Sequence, residues 1–217
     1  MINITFLLFV FAVTIRVGQY TVESRHRGVV QDLYETPDDA LDALFVGYLR
    51  EHVKTTSTFF DPCCGNNAIV NYLVKKGYTN VIGKDKYTVE GESFDLMTDK
   101  YPAFDILIAN LPFCLKHDVL QLLVKMGVSF ILLLPLSIMT TRASEYNIRS
   151  HVYKLIIPAP APKFLHDGKE VMVGPVGWFI GRRGRGNLDG GFQTLIVPRD
   201  TTDNDVDDDG FDAVVFL

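Results

Sequence analysis

Near the middle of the chain, Asn110-Leu111-Pro112-Phe113 combine a side-chain amide, a backbone carbonyl held in place, a rigid proline and an aromatic ring. The amide oxygen of Asn110 and the carbonyl of Leu111 are both hydrogen-bond acceptors. Pro112 restricts Leu111 to extended backbone angles, which gives that carbonyl a fixed direction. Phe113 adds a flat face. Acceptors beside a flat face suit an exocyclic amine on a purine or pyrimidine ring. The uninterrupted apolar run Ile106 to Ala109 reads as a buried strand leading into this quartet. Ligands of open α/β sheets bind at the carboxyl ends of such strands. On its own the stretch is equally an ordinary strand exit, and the rest of the chain has to decide.

A second group of residues lies upstream. Ser57-Thr58-Phe59-Phe60 is strand-like and runs into Asp61-Pro62-Cys63-Cys64-Gly65-Asn66-Asn67. Ala68, Ile69, Tyr72, Leu73 and Lys76 continue as a helix that stops at Gly77. A strand, a tight turn and a helix N-terminus present backbone N–H groups and a positive dipole end to a ligand. Asn66 and Asn67 stand where a nucleotide-binding loop often has another glycine, and asparagine tolerates left-handed angles well. Cys63 and Cys64 read as small buried turn residues, since no activating partner accompanies them. Val81-Ile82-Gly83 is a further short strand, ending at Lys84-Asp85, and Asp85 lies 20 residues after Gly65. At that spacing in a βαβ nucleotide-binding unit, an acid accepts hydrogen bonds from ribose hydroxyls; a surface acid after a strand is the plainer reading.

The elements that position these groups alternate. Tyr34-Glu35-Thr36-Pro37-Asp38-Asp39 precedes Ala40, Leu41, Leu44, Phe45, Tyr48 and Leu49, an amphipathic helix with Thr36 as N-cap, Pro37 first and acids in the first turn. Val119, Leu122, Leu123 and Met126 form a helix face, and Phe130 to Leu134 a continuous apolar strand closed by Pro135. Residues 137–149 are helix-like, and Val152 to Ile157 is a strand. Pro158, Pro160 and Pro162 enforce an extended loop, Lys163 to Lys169 reads as a loop or hairpin turn, and Val176 to Ile180 is a late strand. Gly181-Arg182-Arg183-Gly184-Arg185-Gly186 is a basic loop. Alternation of this kind predicts an α/β fold with a mostly parallel central sheet and helices on both faces.

Bulk properties set bounds. A chain of 217 residues suits one well-buried α/β domain. The formal charge of −5 is set by residues 200–209, which hold six Asp; without them the chain sums to +1, compatible with a nucleic-acid partner. Three Cys, two of them adjacent, form no disulfide framework, and no metal-ligand spacing occurs. These point to an intracellular protein, nuclear if eukaryotic and otherwise cytoplasmic, with no metal and no membrane span. Ile4 to Val13 is too short to cross a membrane; a signal-peptide core, an extra buried strand and an early start codon all fit it. Asp205, Asp207, Asp209 and Gly210 match the first half of a calcium loop, but Phe216 stands where a bidentate Glu is needed, so 199–217 reads as a solvated acidic tail. The expected organisation is an apolar segment over 1–30, a catalytic domain over 31–198 and that tail.

Tyr34-x-Thr36-Pro37, Asp61-Pro62-x-x-Gly65, Asp85 and Asn110-x-Pro112-Phe113, in that order, resemble the class I S-adenosylmethionine-dependent methyltransferases of the adenine-N6 DNA type. The resemblance covers about 34–180 and implies a Rossmann-like class I methyltransferase fold with an antiparallel late strand. It also implies S-adenosylmethionine as cofactor, with Tyr34, Thr36 and Pro37 at its methionine end. Asp61 and Gly65 would hold its centre, Asp85 its ribose and Asp95 its adenine, with Pro62 and Asn66 of the same turn also counted as cofactor-binding. Asn110, Leu111, Pro112 and Phe113 would be the catalytic group: accepting the two N6 protons favours a tetrahedral nitrogen and frees its lone pair. A target base must be flipped out of duplex DNA. Lys163, Phe164 and Trp178 are candidates for holding it, and Arg182, Arg183 and Arg185 for phosphates. The chain departs from the family at Asn66/Asn67 and at Leu111. Ribosomal RNA adenine dimethyltransferases carry a similar Asn-Leu/Ile-Pro-aromatic motif, which keeps RNA open beside DNA. A protein-amide methyltransferase and an inactive cofactor-binding subunit are the other readings. The lack of a sizeable target-recognition domain implies a short or relaxed target sequence, or a partner subunit or homodimer.

Overall fold

The computed structural model describes 34–86, 93–166, 168–184 and 192–198, together with the backbone of 215–216. Helix α1 (Asp38–Leu44) continues through a π-helical segment, Phe45–Leu49, into a last turn, Arg50–His52. It is followed by β1 (Thr58–Asp61), α2 (Ala68–Lys75), β2 (Asn80–Gly83), β3 (Ile106–Asn110) and α3 (Lys116–Met126). Next come β4 (Ser129–Pro135), α4 (Arg142–His151), β5 (Val152–Ala159) and a separate hairpin of β6 (Phe164–His166) and β7 (Lys169–Val171). The last strands are β8 (Val176–Gly181), β9 (Gln193–Pro198) and β10 (Val215–Phe216).

Eight strands form one sheet in the order β10-β9-β5-β8-β4-β3-β1-β2. One half of it, β2-β1-β3-β4, is parallel throughout. The late strand β8 enters antiparallel between β4 and β5. The expected α/β fold is therefore present, including the reversed strand. The chain leaves β1 for β2 on one side and returns for β3 on the other, so a topological switch point opens at the carboxyl ends of β1 and β3, where open α/β sheets bind ligands.

The apolar runs need two covered faces, and the alternation of side chains along each strand supplies them. Phe59, Ile108, Ile131 and Leu133 pack into one buried cluster with Leu41 and Leu44 of α1 and Ile69 and Leu73 of α2. Their neighbours Phe60, Leu107, Leu132 and Leu134 point the other way, against Val119, Leu120 and Leu123 of α3 and Ile148 of α4. Two registers of one strand thus feed two cores.

Three local expectations shift. Pro37, at φ −75° and ψ 148°, is itself the N-cap, and Thr36 lies one residue outside, buried and without a capping bond. The helix expected over 137–149 is split: Leu136–Thr140 is a 3-10 turn, and Thr141 is extended with its hydroxyl bonded back to the Ile138 carbonyl at 2.8 Å. That back-bond satisfies the hydroxyl locally and ends the turn. Pro158 belongs to β5 and not to a loop; there β5 has lost β8 and pairs only with β9, so a missing N–H is tolerated. Strand β9, parallel to β5, has no counterpart in the sequence reading. The segments 1–30 and 199–217, and Arg185 with them, lie outside the described residues apart from the backbone of β10.

Candidate active site

At the end of β1, Asp61 is fully buried and its Oδ1 accepts the Cys63 N–H at 3.0 Å. Its Oδ2 is buried and has no hydrogen-bond partner among the described residues. Burial raises the Asp61 carboxyl to about 8; the Cys63 N–H lowers it, and the nearby Asp85 charge raises it further. The same desolvation, aided by Asp61 and Asp85, pushes the Cys63 thiol well up and the Cys64 thiol to about 11. Both sulfurs stay protonated near neutrality, consistent with turn residues and not with nucleophiles.

The loop after Asp61 folds as its residue types allow. Gly65 has φ +47° and Asn67 φ +63°. These left-handed angles fall on the residue types that best tolerate them. A Cβ on Gly65 would meet nothing within 4 Å, so the loop presents bare backbone to open space. Asp85, carried just past the end of β2, accepts the Gly65 N–H on its Oδ2 at 3.0 Å and is 8% exposed. The 20-residue spacing thus joins the glycine turn and the acid physically. Pro62 is buried, while Asn66 is exposed and donates its amide N–H to the Glu35 carboxylate.

Asn110 closes the opposite wall. Its Nδ2–H donates to the Tyr34 carbonyl at 2.9 Å. That bond fixes the amide plane, and Oδ1 accepts no hydrogen bond from any described residue. Leu111 lies beyond the end of β3, so its carbonyl is not committed to the strand ladder. Pro112, at φ −53° and ψ 119°, starts a 3-10 turn, Phe113–Leu115, and the Lys116 ammonium donates to the Phe113 carbonyl at 2.9 Å. The half-buried Phe113 ring lies 6.1 Å from the Tyr34 ring, which in turn has His166 at 5.1 Å. Glu35 adds a backbone bond, its N–H to the Leu165 carbonyl at 2.9 Å. The segment Tyr34–Thr36 is therefore a strap joined to the hairpin, to Asn110 and to the glycine loop. Glu35, His166 and Lys116 escaped the sequence reading. Their only signal was proximity to a motif, because exposed charged and aromatic residues are common on any surface.

The structure brings Tyr34, Thr36, Asp61, Gly65, Asn66, Asp85 and Asn110 to Phe113 to one edge of the sheet. Asp95 lies on the same side, close enough to Cys63 to raise its thiol further. Both its oxygens are engaged, however, Oδ2 by the Lys86 ammonium at 2.7 Å and Oδ1 by the Met97 N–H at 2.9 Å. Asp95 is thus an anchor of its own turn.

The nucleic-acid candidates fare differently. Trp178 is fully buried at the centre of the sheet, with its indole N–H donated to the Ala40 carbonyl at 2.7 Å, and Phe164 is fully buried as well. Neither can stack on a base; both are core. Arg182 and Arg183 follow the carboxyl end of antiparallel β8, where Gly181 pairs with Phe130 at the start of β4 and Val176 with Pro135 at its end. They therefore stand at the far edge of the sheet, about 17 Å along a strand from the crevice. Lys163 remains on the crevice side, exposed and paired with Glu170 at 2.8 Å.

Solved structures share this architecture. A protein from Listeria monocytogenes described as a class I S-adenosylmethionine-dependent methyltransferase superposes with a TM-score of 0.50 at 15% identity, over 75% of this chain and 65% of that one. The methyltransferase subunit of a type I restriction-modification system from Streptococcus thermophilus gives 0.51 at 13% identity, over 76% of this chain and 46% of that one. A protein from Pyrococcus horikoshii described as an RNA methyltransferase gives 0.51 at 14% identity, over 71% and 88%. The fold is that of the class I methyltransferases. This chain spans 65% and 46% of the length of the first two of these proteins. No protein-family model matches the sequence, and no curated protein does. Among the described residues, no group of three or more His, Cys, Asp or Glu could hold a metal ion, and no helix is long and apolar enough to cross a membrane.

Proposed function

We propose that this chain is an S-adenosylmethionine-dependent methyltransferase that methylates the N6 amine of adenine in DNA, with a short or relaxed target sequence. One observation carries the proposal: Asn110 stands at the switch point with its N–H held by the Tyr34 carbonyl and its oxygen left to accept. The residues across the crevice fit the cofactor. The buried Asp61 Oδ2 has no hydrogen-bond partner among the described residues and is open to the cofactor, the Gly65 turn leaves room for close backbone approach, and Asp85 lies beside that turn at the end of β2. S-adenosylmethionine supplies an already activated methyl group, so the protein has to align and not to activate.

The work left to the chain is at the amine. The N6 lone pair is delocalised into the ring and is a poor nucleophile. Asn110 Oδ1 and the Leu111 carbonyl accept hydrogen bonds from its two N–H groups and favour a tetrahedral nitrogen. They stabilise the positive charge that builds as the methyl group leaves the sulfonium; one proton is then lost to solvent. Phe113 offers its face to the ring, and Tyr34 backs it. The Leu at 111, as in ribosomal RNA adenine dimethyltransferases, favours RNA as the second reading; a fold shared by restriction-modification and RNA enzymes does not choose between them. The test is transfer of a tritiated methyl group to unmethylated DNA, total RNA and protein, followed by digestion to nucleosides. Label in N6-methyladenine of DNA supports the proposal, and label in RNA alone replaces DNA by RNA. Cofactor binding without any transfer would mark an inactive subunit.

A further inference from the structure

The arginine displaced from the crevice belongs to a different feature. At the far edge of the sheet, between the last turn of α1 and the starts of β3, β4 and β5, lies a cavity of ≈ 580 Å³. That is within the range of small-molecule sites, roughly 300–1,000 Å³. Its floor is apolar, with Ile106, Ile131 and Ile180 among the lining residues. Tyr48 and Tyr153 form one wall, both 9% exposed, their hydroxyls bonded to each other at 2.6 Å. Only one of the two protons serves that bond, which leaves the other hydroxyl a donor for a ligand.

The rim is charged and mostly uncompensated. The Arg182 guanidinium lies over the Tyr153 ring, with Cζ 3.8 Å from its centroid, while the side chain stays exposed. Lys54 also lines the cavity, and neither cation makes an ion pair with any described residue. Glu51 is the one carboxylate in the lining; its charge acts on Lys154, whose ammonium lies 5.7 Å from the Tyr48 ring. His52 covers Tyr48, with ring centroids 5.0 Å apart, and adds a flat exposed surface. An Arg fork stacked on an aromatic ring, a second cation and flat walls over an apolar floor are the parts that hold a phosphate joined to a planar body.

We infer that this cavity binds a small organic phosphate with a planar body, of the nucleoside monophosphate class, at a site separate from the crevice. Arg182 and Lys54 take the phosphate, and the base lies over the isoleucine floor beside His52. The experiment is isothermal titration calorimetry of the full chain with guanosine 5′-monophosphate, a base unlike the one expected in the crevice. One saturable site is expected, with guanosine and inorganic phosphate each binding at least about tenfold more weakly. Arg182→Gln should weaken binding at least about tenfold and Lys54→Gln severalfold. Both side chains are exposed, so Lys54→Gln should keep the wild-type melting temperature. Arg182→Gln, which also loses its contact with the Tyr153 ring, should still melt cooperatively, slightly below the wild type. Asp85→Asn should leave binding unchanged. No heat at roughly millimolar nucleotide, wild-type affinity in Arg182→Gln, or loss of binding in Asp85→Asn would each overturn the inference.

Discussion

Replacing Asn110 by Ala tests the proposed chemistry most directly. The substitution removes Oδ1, which would bond the amine, and Nδ2, which bonds the Tyr34 carbonyl at 2.9 Å. The first loss acts on the rate. A group that bonds only where charge develops contributes about 2.7–4 kcal/mol, so the transfer step should slow by about 10²–10³. The Leu111 carbonyl survives, which is why residual transfer is expected. The second loss acts on stability: one half-buried hydrogen bond goes, and folding should weaken by about 1 kcal/mol. Cofactor affinity should hardly change, because Asp61, Gly65 and Asp85 belong to the opposite wall. Asn110→Asp sharpens the test. A carboxylate has no N–H for the Tyr34 carbonyl and is repelled by it, so this variant should be as slow as Ala although it keeps two acceptor oxygens. The assay is single-turnover transfer of tritiated methyl to unmethylated DNA, with cofactor binding measured by calorimetry. Wild-type transfer in Asn110→Ala, or a fall in cofactor affinity as large as the fall in rate, would refute the assignment.

Other outcomes follow from the same geometry. Asp61 has a folded-state value of about 8 against 3.8 for an ordinary Asp, so between those values the folded chain keeps a proton that the unfolded chain releases. Stability of the ligand-free protein should therefore fall as pH rises through that window, by at most about 1.4 kcal/mol per unit. Asp61→Asn should flatten the dependence in calorimetric melts, and an unchanged slope would count against the buried carboxyl. Trp178→Phe removes the indole bond to the Ala40 carbonyl and puts a smaller ring in the core, and should cost about 1–3 kcal/mol in denaturant melts without altering nucleic-acid affinity. Gly181→Ala places a Cβ 2.2 Å from the Phe130 ring and should destabilise by about 1–3 kcal/mol or more, whereas Ala at an unobstructed strand position would not.

Local rules make some of this protein legible before any folding. The parallel core is read from runs such as Phe130 to Leu134, because a strand buried on both faces leaves no position for a polar residue. The glycine turn, Asp85 and the Asn110 quartet are found from residue type and spacing, since a strand-turn-helix unit brings sequence neighbours to one edge of a sheet. What escapes is whatever depends on residues distant in the chain. The N-cap passes from Thr36 to Pro37, and Pro158 joins a strand because the pairing of β5 with β8 stops two residues earlier and only β9 remains beside it. Phe164 and Trp178 look like base-stacking residues in one dimension but prove to be core, because burial depends on what packs over them. Arg182 and Arg183 depend on strand direction alone. Whether β8 runs with or against β4 decides which edge they reach, and the Gly181–Phe130 register sends them away from the crevice. Likewise, Asn110 is named by its motif, but the Tyr34 carbonyl that orients it lies 76 residues away, and only the closed fold brings the two together.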